Sequence, residues 1–375
     1  MKILHIIPNL RKGGAERLVL DIVRELDKRE DVEVRLTIFR EEIEYDIDDI
    51  RHLIHIIPSG VQLSLWRKNK FNIENLQQFF DDFRPNIIHS HLFEAELVSR
   101  SCYYPKAKWF SHAHDNLIQL KYFFHKTLLN KKLFTNYLEK RYLLNRYHIN
   151  RGTYFIAISK DAENYLKETV SRYNITLLNN AINYKRFYSD TKREINSSKS
   201  IKLINIGSFV PKKNQQLLLM IAEKLNAKNV NFEIHFLGDG KLKENLKKQS
   251  LALGLENRLF FHGNVNNVEN YLWKSDLYIH VASYEPLGLV LIEAMAAGLP
   301  VITLDGKGNR DLINEGKNGY MIYEENPELF VDKILELWND NDKYNKISEY
   351  AKEFASQFDI KSYIDKLLDV YKMQS

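Results

Sequence analysis

Glu285 and Glu293, Lys213, and the histidines His89, His91, His112 and His114 are the side chains whose types and spacing could do chemistry here. The two glutamates lie in Ser283-Tyr-Glu-Pro-Leu-Gly-Leu-Val-Leu-Ile-Glu-Ala-Met-Ala-Ala-Gly-Leu-Pro-Val-Ile302. Before it, Asp276-Leu-Tyr-Ile-His-Val281 is apolar and β-rich and predicts a strand. After Tyr284, Leu289, Ile292 and Met295 recur at helical spacing, and Gly298-Leu-Pro300 predicts the stop. A loop between the carboxyl end of a strand and the amino end of a helix is where open α/β sheets hold ligands. Its N–H groups and the helix dipole favour an anion, phosphate above all. With Glu285 just before the helix and Glu293 two turns inside it, about 1.5 Å of rise per residue separates the acids by roughly 12 Å. A nucleotide sugar laid along the helix start could meet one acid with its sugar hydroxyls and the other with its ribose. On spacing alone, a solvated Glu285 and a helix-surface Glu293 fit equally well.

This stretch resembles the E-x7-E motif of family-four retaining glycosyltransferases, two-domain enzymes of the GT-B fold. The resemblance implies that Glu285 contacts the donor sugar and Glu293 the ribose, with the Leu287, Gly288 and Leu289 backbone at the phosphates. Pro286 stands where Gly is frequent in that family; it pre-sets a helical turn and removes one N–H donor. Gly207-Ser-Phe-Val-Pro-Lys-Lys-Asn214 resembles the family's G-R-L-x-x-x-K-N loop, whose Arg and Lys hold the donor diphosphate. Lys213 matches the Lys, but Ser208 replaces the Arg. A hydroxyl donates one hydrogen bond without charge, whereas a guanidinium forks onto phosphate oxygens. Either Lys213 and the helix termini suffice, or Lys212 or Arg310 supplies the missing charge.

Other segments extend the resemblance. Gly13-Gly-Ala-Glu16 is similar to the family's amino-terminal G-G-A-E loop, which faces donor phosphate and acceptor; by itself a glycine pair after a strand is a tight turn. Trp109-Phe-Ser-His-Ala-His-Asp115 is similar to the segment whose His reaches toward the donor sugar, with His112 the first match and His114 the second. The Gly263, Asn264 and Val265 backbone would cup the base. Asn179-Asn-Ala-Ile-Asn-Tyr-Lys-Arg-Phe187 resembles the family's N-G-I-D…F turn. A metal is another reading of four clustered imidazoles, but no Cys or carboxylate pattern completes a site.

The elements that must position these groups alternate. Strands are expected at Lys2–Ile7, Val32–Phe39, Asn86–Ser90, Lys108–Ser111, Tyr154–Ser159 and Ile175–Leu178, and the pattern restarts at Lys202–Ile206. Such alternation predicts α/β architecture with two Rossmann-like, doubly wound domains, which in the GT-B fold face across a cleft. The expected boundaries are 1–188 with 356–375 crossing back, and 200–355. The polar stretch 189–200 reads as a linker. The loop Asp305-Gly-Lys-Gly-Asn-Arg-Asp311 suits either a phosphate contact or a surface turn.

At 375 residues the chain is long enough for two cores. One cysteine, Cys102, excludes an internal disulfide and reads as a small buried apolar residue. No run approaches the roughly 18 apolar residues of a spanning helix, and the short apolar start is no signal peptide, so a cytoplasmic location is expected. Net charge is +5, with ten Lys or Arg between Lys106 and Arg151 against Asp115 and Glu139. Trp109, Tyr122, Phe123, Phe124, Phe134, Tyr137, Tyr142 and Tyr147 are interleaved there. Such a segment suits an anionic membrane surface, or is a solvated helical face with its aromatics packed inward. There is no nucleic-acid motif.

The resulting expectation is a retaining glycosyltransferase. It would move a hexosyl or N-acetylhexosaminyl unit from a nucleoside-diphosphate sugar, UDP-linked, to a glycan or lipid-linked acceptor in surface-polysaccharide assembly. No cofactor or metal is expected. The alternatives are a catalytically weak GT-B protein acting as a glycan- or membrane-binding module, motivated by Ser208, and a nucleotide-sugar epimerase.

Overall fold

The computed structural model describes residues 1–64, 68–116, 130–149, 152–190 and 199–373. The chain forms two units, Met1–Asn180 with Ile360–Ser375, and Ala181–Asp359. The strands of the first are β1 (Lys2–Ile7), β2 (Glu33–Ile38), β3 (Ile54–Ile56), β4 (Gly60–Gln62), β5 (Lys70–Asn72), β6 (Ile87–His91), β7 (Lys108–Ala113), β8 (Thr153–Ala157) and β9 (Asn174–Leu177). Seven of them make one parallel sheet in the order β3-β2-β1-β6-β7-β8-β9, and β4 pairs with β5 as an antiparallel ribbon. Five of the six β1 residues are buried, as a parallel strand covered on both faces requires.

Helix Gly14–Asp27 buries Leu18, Val19, Ile22, Val23 and Leu26 along one stripe. Helix Ile360–Met373 packs beside it with Ile364, Leu367 and Tyr371 buried. Arg29 pairs with Asp365 at 2.5 Å, and the Lys108 ammonium donates to the Tyr371 carbonyl at 3.1 Å. The last helix is thereby part of the first unit. Residues 181–188 are not, contrary to the expected boundary. There the Trp273 indole donates to the Phe187 carbonyl at 2.8 Å and Arg186 pairs with Glu269 at 3.0 Å. Residues 356–359 also belong to the second unit, where the Ile182 N–H donates to the Phe358 carbonyl at 2.9 Å. Most of the expected linker lies outside the described residues.

The second unit has β10 (Ile201–Ile206), β11 (Phe232–Leu237), β12 (Leu259–Gly263), β13 (Leu277–His280), β14 (Val301–Leu304) and β15 (Gly319–Ile322). They form a parallel sheet in the order β12-β11-β10-β13-β14-β15. Its core joins Leu203, Ile234, Ile279 and Ile302 of the strands to Leu218, Ile221, Leu225, Phe330 and Ile334 of the flanking helices. Both sheets reverse their winding once, between β1 and β6 and between β10 and β13. At such a point successive connections leave to opposite faces, and a crevice opens at the strand carboxyl ends.

Cys102 is buried, and burial pushes its thiol up to about 12. Trp109 and Tyr147 are also buried, and the Arg146 guanidinium is spent on the carbonyls of Arg100, Ser101 and Cys102. These members of the basic aromatic segment serve the core; Tyr122, Phe123 and Phe124 lie outside the described residues. Among the described residues no helix is long and apolar enough to cross a membrane.

Candidate active site

At the β10–β13 reversal, Glu285 follows β13 and Lys213 closes the loop that follows β10. The Lys213 ammonium donates to Glu285 Oε2, and the His280 Nε2–H donates to the same oxygen at 3.0 Å. Glu285 is only 7% exposed, so the solvated alternative does not apply. Burial alone pushes its carboxyl up, but the Lys213 charge and the His280 hydrogen bond overcome this and hold it at about 2. His280 is pushed down, first by burial, so it meets the carboxylate as a neutral donor. Burial pushes the Tyr278 hydroxyl far up, and the Glu285 and Glu293 carboxylates add to it. Both acids therefore act on one buried phenol.

The helix carrying Glu293 is Leu289–Ala296, shorter at its start than expected. Gly288 has φ 98°, a left-handed conformation that only glycine takes freely. Pro286 is accordingly in a loop and not in the first helical turn. The continuous helical rise behind the roughly 12 Å figure is absent, since only the step from Leu289 to Glu293 is helical, about 6 Å of rise. Glu293 is buried and not on the helix surface. Leu287 is buried as packing; the Leu291 N–H returns to the Gly288 carbonyl at 2.9 Å. The amides of Leu289 and Val290 meet no acceptor outside the helix among the described residues, which leaves them to an anion.

The loop from Asp305 to Asp311 braces Glu285. The Glu285 N–H donates to the Gly306 carbonyl at 2.8 Å, and a Cβ on Gly308 would fall 1.8 Å from the Pro286 oxygen. Buried Asn309 ties this loop to Thr303, Leu304 and Gly306. Arg310 is paired with Asp305 at 2.8 and 2.5 Å. Ser208 is exposed, and its carbonyl accepts from the Gln215 side chain at 3.1 Å. Gly263 ends β12 with φ 72°; its carbonyl accepts from Gly238 at 2.8 Å, with Asn264 exposed and Val265 half-buried beyond it.

The first unit places its candidates at the β1–β6 reversal. Alternation puts His89 with His91 on one face of β6, and His114, one residue past the end of β7, stacks on the His112 ring with centroids 4.2 Å apart. The register pairs His5 with His89 and His91 with His112, so five imidazoles share one face. His5, in β1, was not among the expected residues; the two His-x-His spacings were the legible signal. Two lines of contacts run through the group. One joins Tyr371 Oη, His89 Nδ1 at 2.6 Å, His89 Nε2 to His112 Nδ1 at 3.2 Å, and His112 Nε2 to Asn180 Oδ1 at 2.9 Å. The other joins His5 Nδ1 to His91 Nε2 and His91 Nδ1 to His114 Nε2, each at 2.9 Å.

Burial holds all five below the usual histidine range, His5 at about 3 and His112 at about 4. Both ring nitrogens of His112 are engaged, while half-buried His114 has Nδ1 without a partner among the described residues. Ligand nitrogens of His5, His89 and His91, and of His91, His112 and His114, lie within 4.8 Å of one another. They already bond to each other, so an ion there would displace those bonds.

The Gly13–Gly14 turn starts helix Gly14–Asp27. Gly13 is pinned by Tyr45, whose hydroxyl accepts its N–H at 3.0 Å and donates to its carbonyl at 2.8 Å. That amide is not open to phosphate.

Two family models fit the chain: Glycosyltransferase Family 4 over residues 12–186 and Glycosyl transferases group 1 over residues 189–354. Between them they leave out little more than the two ends. The chain belongs to the glycosyltransferases of these groups. This glycosyltransferase is 31% identical over 169 residues to a poly(ribitol-phosphate) alpha-N-acetylglucosaminyltransferase of Staphylococcus aureus, a match covering 44% of the chain and 34% of that protein. It is 29% identical over 188 residues to the N-acetyl-alpha-D-glucosaminyl L-malate synthase of Bacillus anthracis, covering 50% of the chain and 49% of the relative. The chain thus spans about a third to a half of these curated relatives. Its fold matches that of Anabaena HepE, solved in complex with UDP-glucose, with TM-score 0.79, 20% identity and full coverage of both chains. The transferase has the GT-B architecture of two Rossmann-like domains.

Proposed function

We propose that this glycosyltransferase moves a hexosyl or N-acetylhexosaminyl unit from a UDP-linked sugar to a glycan or lipid-linked acceptor in surface-polysaccharide assembly, with retention of configuration. The observation that carries the reading is the buried Glu285 carboxylate, held ionised by Lys213 and His280 at the β10–β13 reversal. Support for the donor comes from the UDP-glucose bound to HepE, and for the acceptor class from the name of the staphylococcal relative.

In this reading Glu285 accepts hydrogen bonds from hydroxyls of the donor sugar, and Glu293 from the ribose. The transition state spreads positive charge onto the sugar and negative charge onto phosphate. Lys213 and the Leu289 and Val290 amides meet the departing diphosphate. Lys213 turns partly from Glu285 to phosphate as the donor binds, so the carboxylate exchanges an ammonium for sugar hydroxyls. With no carboxylate assigned as nucleophile, the acceptor attacks on the leaving-group face and the phosphate takes its proton. The family resemblance assigns a histidine of this segment to the sugar; of its two candidates His114 is the better, because its Nδ1 is open while both ring nitrogens of His112 are engaged. No metal enters the reading.

The test is release of nucleoside diphosphate across a donor panel with lipid-linked acceptors. Turnover with a UDP-hexose or UDP-N-acetylhexosamine is expected, and none with any donor removes the proposal. Ser208 favours a second reading, a weak enzyme acting as a glycan-binding module; tight glycan binding without turnover would select it. Peripheral attachment through the basic helix Lys131–Arg146 is a separate proposal. It predicts sedimentation with anionic vesicles at low salt and release at high salt.

A further inference from the structure

We propose that His5 and His91 are positioning residues that fix His114 in the tautomer with its proton on Nδ1, so that this ring offers sugar oxygens a donor and never an acceptor. The inference rests on the reading that His114 meets the transferred sugar.

The reason lies in the count of protons along the two lines of contacts. A neutral imidazole has one N–H and one lone pair. The line through His89 and His112 ends on an acceptor, Asn180 Oδ1, so the His112 Nε2–H donates to it, the His89 Nε2–H donates to His112 Nδ1, and the Tyr371 hydroxyl donates to His89 Nδ1. That line has its direction set by a polar group at its end. The line His5–His91–His114 is different, because its inner end is His5 Nε2, buried without a hydrogen-bond partner.

Two arrangements of three protons are possible there. In one, His5 Nδ1–H donates to His91 Nε2, His91 Nδ1–H donates to His114 Nε2, and the His114 proton sits on Nδ1. In the other, every bond is reversed, and the His5 proton is stranded on Nε2 in the core. A buried N–H with no acceptor is the rarer and costlier orphan, so the first arrangement wins, by roughly tenfold or more. Reversal would require all three rings to exchange protons together. Burial keeps the rings neutral, so no fourth proton relaxes the constraint. His114 thus cannot choose its tautomer to suit a ligand. A hydroxyl or ring oxygen that can accept is favoured, and a group that can only donate is rejected. The ring is a poor acid in this state, and its role is to hold the sugar without transferring a proton.

The test is long-range ¹⁵N–¹H NMR of the full chain labelled at its twelve histidines, with His114 assigned by the signal lost in His114→Gln. The wild type is expected to show the proton on Nδ1. In His91→Phe the ring should populate both tautomers. Turnover should then fall about tenfold while UDP binding stays unchanged, because the diphosphate is held by the second unit. His91→Gln, whose amide can donate to His114 Nε2, should restore the Nδ1–H form and most of the turnover. A wild-type His114 protonated on Nε2, or a His91→Phe protein that keeps the Nδ1–H form, overturns the proposal. A wild type that turns over no donor sinks the functional reading instead, and leaves the tautomer measurement to decide the positioning by itself.

Discussion

At the β10–β13 reversal a buried carboxylate is kept ionised by an ammonium and a ring N–H, whereas at the β1–β6 reversal five imidazoles are kept neutral by burial and by one another. The same topological position therefore holds opposite electrostatics. The second unit presents fixed charge, suited to a charged leaving group. The first presents directed but uncharged hydrogen bonds, suited to hydroxyls. The parallel sheet supplies the crevice in both, and the loops after the strands decide what it can grip.

The largest effect expected from breaking this contrast is at Lys213. Lys213→Ala leaves the Glu285 charge buried without its main partner, which costs about 3–5 kcal/mol. Urea unfolding should show that loss, and Lys213→Ala/Glu285→Gln should recover much of it. Glu285→Gln alone should lower kcat by about 10²–10³ if the carboxylate acts in the transition state. A variant with wild-type kcat would deny it that role.

Acid should separate the two regions by window. For the histidines the folded pKa lies below the unfolded value near 6.5, so the unfolded chain binds protons first. Stability is lost as pH falls below about 6.5, continuing to about 4 for His112 and about 3 for His5. For Glu285 the contribution is present above its ordinary 4.5 and is lost as pH falls toward 2. The sign is the same; the second unit has one buried histidine, His280, in the earlier window against five in the first, so the first unit loses more stability there. Amide hydrogen exchange between pH 7 and 3 should show peptides of β1, β6 and β7 losing protection before those of β10 and β13.

A smaller effect should sharpen the contrast. Ser208→Arg adds a charge-assisted donor to the loop after β10, and the donor KM should fall about tenfold. An unchanged KM would mean that residue 208 does not face the diphosphate. Least of all should change on chelation, and turnover in EDTA is expected to equal that without it. A loss would direct attention to the histidine face.

The alternation of strands and helices, the paired domains and the helix stop at Gly298 were legible because periodicity and glycine placement are local. The Glu285–Lys213 pair was legible through two motifs 72 residues apart. Its third member, His280, was not, since a single histidine in an apolar strand carries no signal of which carboxylate the next turn folds onto it. The same holds for His5 and Asn180. The helix start was misplaced because proline is favoured in a first turn, whereas Gly288 is the left-handed residue that delays the helix. The Asp305–Asp311 loop read as either a phosphate contact or a surface turn. Its glycines serve close approach to Glu285 instead, which only the fold can reveal.

Tyr371, which closes one end of the histidine contacts, lies 282 residues beyond its partner His89. During synthesis the ribosome must therefore finish the entire second unit before the first can complete its own interior. A nascent chain would carry an unsealed layer of imidazoles until helix Ile360–Met373 emerges. Products of premature termination would lack that seal however well their early strands had formed.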